Sequence, residues 1–371
     1  MRLLLASEYF RPHWTGIAKA FLVLAKQLEK NGHEITVLTT RIEDSLPIEE
    51  QFEKLSIVRS TPQFKISRTQ YSFSSLRDFI RLAHVHDHVI INSPHSNILF
   101  FTLIAKLLGK KVMIFHQGDL TLPRKTGSMI QHLFIEKIFD ILTIPAFFLA
   151  DKISTYTKDY AENSRTMKYF LFKFFAYIPT PTLSVSGETE RSLATSSRRR
   201  QIRIGFAGRF VEEKGFDILY KAMSTVIKEI PSAKFVFAGS TKMDYEPYYE
   251  SQKKLFENHK KHVKYVGLLD EKKLVDFYKS LDVFVVSSRT DCFPLTQIEA
   301  ATSGVPIVCT DIPGARMLIK ETDFGSIVAP NNSGALANGI IRVLQSREKY
   351  MKNQKNVIPF LKKYDTFTIN P

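Results

Sequence analysis

Two stretches of this chain combine residue types that handle anions and hydroxyl groups. The first reads Gly208-Arg209-Phe210-Val211-Glu212-Glu213-Lys214-Gly215, between a strand-like apolar run and a helical pattern that starts near Phe216. Arg209 offers a fork of donors, Lys214 places a point charge at the mouth of a helix N-terminus, and Gly208 lets the backbone approach a ligand closely. A diphosphate is the expected guest. The competing reading is that both cations are merely solvated or pair with Glu212 and Glu213, as charge runs commonly do.

The second stretch is Asp291-Cys292-Phe293-Pro294-Leu295-Thr296-Gln297-Ile298-Glu299, followed by Ala300-Ala301-Thr302-Ser303-Gly304-Val305-Pro306. Pro294 suits a first helical turn and Gly304 a C-terminal stop, which puts Glu299 inside a short helix and Asp291 in the loop before it. Ionised carboxylates only accept hydrogen bonds, so Glu299 suits vicinal ribose hydroxyls and Asp291 the hydroxyls of a sugar. Helix capping by Asp291 and a buried ion pair at Glu299 are the structural alternatives.

These segments need strands and helices to hold them. Strand-like runs at Leu3–Ser7, Ile35–Thr39, Val89–Asn92, Val112–Phe115 and Lys152–Tyr156 alternate with helical spacing at 17–30 and 99–108. A second array runs through 202–207, 235–238, 263–266, 283–287, 305–309 and 326–328. Such alternation predicts an α/β chain of two doubly wound, Rossmann-like parallel-sheet domains facing each other across a cleft. Residues 178–200, with Pro179, Pro181, a Ser/Thr-rich stretch and Arg198 to Arg200, read as the join. The expected division is 1–180, a linker at 181–200, 201–350 and a tail at 351–371.

The chain has 371 residues, enough for two domains at about 150 residues each. Its 44% hydrophobic and 24% charged content is that of a globular protein. A net charge of +15 favours anionic partners such as nucleic acid, acidic lipid headgroups or phosphorylated substrates. Two cysteines, Cys292 and Cys309, make neither a metal-type pair nor a disulfide framework, which favours a reducing compartment. The apolar start at Met1–Phe10 is cut off by Glu8 and Arg11, short of a signal-peptide core. Leu133–Ala150 is broken by Glu136, Lys137, Asp140 and Pro145, and so fails the test of about 18 uncharged residues for a spanning helix.

Taken together and in this order, the two segments resemble glycosyltransferase family 4. Its members show a Gly-Arg, acidic, Lys-Gly segment, then an acidic residue, seven residues, a glutamate, a small-residue helix end and Gly-Val-Pro. The chain matches at Gly208, Arg209, Lys214, Gly215, Glu299, Gly304, Val305 and Pro306. It departs at Asp291, where the family usually has glutamate, which shortens the reach toward the sugar. In the first half, Ser7–His13, Thr15-Gly16-Ile17 and Asn31–Val37 extend the likeness, with Thr15 where a first glycine is usual. Phe115-His116-Gln117-Gly118-Asp119 resembles the family's histidine segment. The likeness covers roughly residues 1–345 and is weak between Arg41 and His88.

This resemblance implies the GT-B fold and transfer of a sugar from a nucleoside diphosphate sugar to a glycan or lipid-linked acceptor, with retention of configuration and no metal or cofactor. Arg209 and Lys214 would stabilise the departing diphosphate, His116 and Asp291 would meet the donor sugar, and Glu299 the ribose. Gly16, Gly208, Phe293, Pro294, Leu295 and Thr296 would line the donor. Cell-surface polysaccharide or glycolipid synthesis is the implied setting, in the cytoplasm and at the inner face of the membrane. A nucleotide-sugar epimerase and a silent basic scaffold at a membrane are the rival readings.

Four further features bear on these expectations. His84, His86 and His88 alternate, which on a strand would place three imidazoles on one face and invite zinc; exposed histidines at a strand entrance are the plainer reading. Lys158–Tyr177 interleaves Arg165, Lys168 and Lys173 with aromatics, a composition suited to contact with an acidic membrane; a basic solvent edge around ordinary core aromatics is the plainer reading. No nucleic-acid-binding motif accompanies the positive charge. The stretch from Phe360 is shorter than the long helix with which GT-B enzymes commonly return to their first domain.

Overall fold

A computed structural model describes residues 1–13, 15–66, 69–180, 201–241, 248–257 and 259–369. The expected linker at 181–200 lies outside the described residues. The chain forms two compact units, one of Met1–Leu122, Ile130–Thr180 and Tyr364–Pro371, the other of Pro123–Met129 and 181–363. The expected tail at 351–371 is therefore divided. Its helical part belongs to the second unit, and its end returns to the first, where Phe367 packs against Phe115, Phe175 and Tyr177.

The first unit opens with β1 (Arg2–Ala6), α1 (Gly16–Lys30), β2 (Glu34–Thr40), β3 (Glu49–Phe52) and β4 (Leu55–Ser60). A small hairpin, β5 (Phe64–Ile66) and β6 (Thr69–Tyr71), precedes α2 (Ser74–Val85), β7 (His88–Ser93), α3 (Ile98–Leu107) and β8 (Lys111–His116). The series closes with α4 (Met129–Leu149), β9 (Lys152–Thr155), α5 (Lys158–Asn163) and β10 (Phe174–Ala176). Strand order is β10-β9-β8-β7-β1-β2-β4-β3, parallel except for the β3 edge. Sequence reading overlooked β3 and β4, which lie where periodicity is weakest. Residues 133–150, an apolar run broken by charges, form most of α4, which passes through Glu136, Asp140 and Pro145; no helix among the described residues is long and apolar enough to cross a membrane, as expected of this run.

The second unit contains β11 (Ile202–Ala207), α6 (Phe216–Glu229), β12 (Ala233–Ala238), α7 (Tyr248–Glu257), β13 (Val263–Gly267), α8 (Glu271–Lys279) and β14 (Val283–Val286). It continues with α9 (Leu295–Thr302), β15 (Ile307–Thr310), α10 (Met317–Thr322), β16 (Gly325–Val328), α11 (Ser333–Gln345), α12 (Arg347–Met351) and α13 (Val357–Lys362). The order β13-β12-β11-β14-β15-β16 is all parallel and reverses between β11 and β14. In the first unit the reversal falls between β1 and β7. Open α/β sheets bind ligands beyond the carboxyl ends of the strands at such a switch point, because the loops there diverge and leave a crevice.

Each sheet is buried by helices that present apolar residues to it. Phe206, Phe237, Val285 and Val308 from the strands meet Phe216, Met223 and Ile340 from α6 and α11. In the first unit Leu4, Ile91 and Ile114 meet Phe79, Phe101 and Phe147 from α2, α3 and α4. Strands buried on both faces read as continuous apolar runs, which is why Leu3–Leu5 and Val283–Val286 show no alternation.

Candidate active site

The loops after β11 and β14 bring both chemically suggestive stretches to the switch point of the second unit. Gly208 follows β11 directly and has φ +152°, a conformation costly for any side-chain-bearing residue. Gly215 ends the short 3₁₀ turn Glu212–Lys214 and starts α6 with φ +62°. A Cβ at Gly215 would lie 2.0 Å from the Ser287 carbonyl oxygen, so this glycine also allows the β11 and β14 loops to touch.

That contact sets the charges. Lys214 Nζ donates to Asp291 Oδ2 at 2.7 Å, and Ser288 Oγ donates to the same oxygen at 3.2 Å. Burial pulls the Lys214 pKa down, but the attraction of Asp291 and Glu213 outweighs it and the net shift is upward, keeping the ammonium charged. Arg209 Nη2 donates to Glu213 Oε1 at 2.6 Å. The alternative of pairing within the charge run thus describes Arg209 but not Lys214, whose hydrogen-bonded partner lies 77 residues away. Asp291 makes this ion pair where helix capping was the structural alternative.

Glu299 sits in α9, 2% exposed, and accepts a hydrogen bond from the Tyr278 hydroxyl of α8 at 2.7 Å. Burial first, and then the Glu299 carboxylate, push the Tyr278 pKa upward, so the phenol stays a donor. Pro294 is the N-cap of α9 with extended backbone, one residue before the helical position expected of it. Phe293 and Leu295 are buried and Thr296 is half-buried. Gln297, on the same helix, is fully buried with no partner among the described residues for either amide atom.

A second set of groups braces the same loop and escaped sequence reading. Arg289 makes two 2.8 Å bonds to Asp217 in the first turn of α6 and donates to the Glu212 carbonyl at 2.6 Å. The Glu212 carboxylate accepts from the backbone N–H groups of Arg124 and Lys125, at 2.9 and 2.8 Å, and so fastens the segment Pro123–Met129 to this unit. No spacing rule links residues this far apart.

In the first unit, His116 ends β8 and is 1% exposed, with Nδ1 3.1 Å from Ser93 Oγ and Nε2 3.5 Å from Asp119 Oδ1. Burial opposes ionisation of Asp119, yet hydrogen bonds from His116, Thr166 and Arg165 hold its carboxyl well below the usual range. Gly16 is the first residue of α1, capped by Thr15 Oγ1 accepting from Ala18 N at 3.1 Å, and a Cβ there would meet nothing within 4 Å. Its own fold therefore places no demand for glycine at that point. Elsewhere in this unit Ser7, Thr39, Ser75, His95 and Ser96, with Leu38 and Phe101, line a narrow hollow with room for about one water molecule.

The three alternating histidines do not share a strand face. His84 lies in the last turn of α2, His86 follows that helix, and His88 opens β7, the latter two being buried rather than exposed. Among the described residues no group of three or more His, Cys, Asp or Glu side chains is placed to hold a metal ion. Both cysteines are reduced; burial, then Asp291, raises the Cys292 thiol pKa, and Cys309 is pushed up to about 12 by burial.

Comparison with known proteins places these features in context. Residues 14–167 match the family described as Glycosyltransferase Family 4, and residues 190–358 the one described as Glycosyl transferases group 1. An uncharacterised glycosyltransferase of Methanocaldococcus jannaschii is 34% identical over 154 residues, 40% of this chain but only 38% of the relative. The alpha-monoglucosyldiacylglycerol synthase of Streptococcus pneumoniae is 22% identical over 364 residues, spanning 93% of this chain and 78% of that enzyme. Among solved structures, Anabaena HepE in complex with UDP-glucose superposes with a TM-score of 0.72 at 13% identity, over 98% of this chain and 95% of HepE.

Proposed function

The chain belongs to glycosyltransferase family 4 and has the GT-B fold, and from that premise we propose that it transfers a sugar from a nucleoside diphosphate sugar to an acceptor hydroxyl with retention of configuration. The observation that carries this reading is the cluster at the switch point of the second unit. Arg209 and Lys214 lie there beside the N-terminus of α6, Asp291 lies in the loop before α9, and Glu299 lies within α9. Fixed cations and helix N-termini stabilise charge that develops on a departing diphosphate without having to reorganise, commonly the largest catalytic contribution.

In this mechanism the bond from the anomeric carbon to the diphosphate oxygen breaks as the acceptor oxygen attacks the same face. The acceptor proton passes to the departing diphosphate. Glu213 and Asp291 act as place-holders for the incoming phosphates, keeping Arg209 and Lys214 charged and aimed until the donor displaces them. Glu299, held by Tyr278, accepts from the ribose hydroxyls. No metal or cofactor is required, because side-chain cations supply the positive charge. The acceptor is a glycan or a lipid-linked glycan at the inner face of a membrane. The Streptococcus pneumoniae relative is named for a glycolipid, alpha-monoglucosyldiacylglycerol, which supports this.

The test is the melting temperature of the chain with UDP, GDP, ADP, TDP and CMP, alongside Arg209→Ala and Glu299→Gln. A nucleotide at one hundred times its Kd adds about 3 kcal/mol to the folded state. One nucleoside diphosphate should raise the melting temperature of the native chain by several degrees and move the variants little. If none does so, the donor reading falls and the basic scaffold takes its place.

A further inference from the structure

Helix α4 packs Phe139, Ala146 and Phe147 inward, yet it also buries its acids and exposes a long apolar stripe. Its two carboxylates, Glu136 and Asp140, point into the first unit together with Thr143. Asp140 takes two 3.1 Å bonds from Arg165, and Glu136 accepts from the Leu122 backbone N–H at 2.6 Å. The opposite face shows Ile130 at 81% exposure, Phe134 at 66%, Ile141 at 66% and Phe148 at 69%. Steps of four and seven residues keep these side chains on one stripe of a helix. A helix of 21 residues makes that stripe about 30 Å long.

The stripe continues onto the neighbouring 3₁₀ segment Met167–Lys173. Lys173 Nζ donates to the carbonyl oxygens of Phe147 and Ala150 at 3.3 and 2.6 Å, closing the C-terminal end of α4. The same ammonium lies 5.7 Å from the Phe148 ring and 5.8 Å from the Phe172 ring, so it holds the two exposed aromatics side by side. Phe172 is 75% exposed, and Tyr169 beside it carries Lys168 over its ring at 5.1 Å.

We propose that this face of α4 and Met167–Lys173 is a docking surface for an anionic lipid bilayer. An apolar stripe of this length left exposed, with both carboxylates of the helix turned in, matches a surrounding medium that is not water. The outward side of both segments bears no acid, while Lys137 on α4 and Lys168 and Lys173 on the 3₁₀ segment are cationic. Long amphipathic side chains of this kind keep their charge at the headgroups while burying their stems. No helix among the described residues is long and apolar enough to cross a membrane, so α4 would lie along its surface. A second copy fits less well, since a two-fold contact would bring the same lysines toward one another. The surface deepens the proposed reading and rests on it for its purpose, delivery of the chain to a lipid-linked acceptor, but its affinity requires nothing of the donor site.

The experiment is sedimentation of the full chain with vesicles of phosphatidylcholine alone and of phosphatidylcholine with phosphatidylglycerol, without nucleotide. The native chain should bind the anionic vesicles at least tenfold more tightly. The triple variant Phe134→Ser, Ile141→Ser, Phe148→Ser should lose binding by about a hundredfold, since each apolar group withdrawn from lipid costs about tenfold or less. Lys137→Glu with Lys168→Glu should erase most of the preference for anionic lipid. A second measurement guards against a variant that does not fold: the fluorescence of Ile141→Trp should shift to shorter wavelength with anionic vesicles. Absence of native binding, undiminished binding by the triple variant, an unmoved Ile141→Trp spectrum, or a solution dimer that the triple variant dissolves would each overturn the proposal. Vesicle binding that persists while no nucleotide shifts the melting temperature would sink the donor reading and leave this surface standing.

Discussion

The two units use charge in opposite ways. In the second, cations and carboxylates gather in loops at the carboxyl ends of β11 and β14, half-buried and paired at hydrogen-bond distance, as in Lys214 with Asp291 and Arg209 with Glu213. In the first, the charged groups are drawn under α4, where Asp119, Glu136 and Asp140 surround Arg165, while a stripe of apolar side chains on α4 faces outward. A charge pair that a ligand can displace has to sit at the rim of a fold. One that holds loops together gains from being enclosed, provided that every lone pair finds a donor.

If that contrast is right, removing a charge should cost activity in one unit and only stability in the other. The largest effect is expected for Lys214→Ala, with the transfer rate falling by about 10²- to 10³-fold, as for loss of one fixed donor to a developing anion. The loss of stability should stay near that of Asp140→Ala below, at about 2 kcal/mol, because the two pairs are similarly buried and Ser288 still donates to Asp291; parallel measurement of turnover and of the urea midpoint would reveal it. A variant that melts early while keeping its turnover would reverse the assignment.

The next effect belongs to pH and the first unit. His95 is buried, with its pKa lowered to about 4 by desolvation, and its Nδ1 accepts the Asn97 backbone N–H at 3.0 Å. The unfolded chain binds this proton near pH 6.5, so between about 6.5 and 4 the unfolded state carries more protons than the folded one. Stability is therefore full above about pH 6.5 and declines as the pH falls toward 4, by up to about 3 kcal/mol from this group. His95→Gln should flatten that stretch of the urea-midpoint profile. An unchanged slope would place the acid sensitivity elsewhere.

The smallest of the three is Asp140→Ala, at about 2 kcal/mol. Arg165 would lose its two-pronged partner but keep Glu136 at 3.9 Å and the Leu120 carbonyl at 2.7 Å. Partial exposure of the guanidinium holds the cost below the ~3–5 kcal/mol of a fully enclosed pair. Nucleotide-dependent melting shifts should survive in this variant; their disappearance would mean that the two units are not separable in the way described.

Much of the second unit was legible in the residues alone. Gly208–Gly215 and Asp291–Pro306 are contiguous, and each carries its own strand end, turn glycine and helix start, so local preference and chemistry coincide within a few residues. The strands around them fell within a residue or two of their structural bounds, the longest offsets being at β12 and β15. Tyr278, Arg289 and Asp217 were not legible. Each meets its partner through the strand order of the sheet, which no spacing along the chain expresses.

The first unit shows the limit from the other side. Composition marked 133–150 as apolar and interrupted by charge, and 158–177 as aromatic and basic. Neither pattern could say that Glu136 and Asp140 turn inward, because helical periodicity defines two faces without naming which one meets the core. That choice was made by Arg165, carried on the turn after α5, and by the Leu122 backbone, both brought beneath α4 by the order of β8 and β9. The chain by itself determined its α/β class, its family and the residues at the switch point, since those depend on local spacing. Tertiary structure alone decided that Lys214 faces Asp291 and that α4 presents an apolar side to its surroundings, because both follow from contacts between segments far apart in the chain.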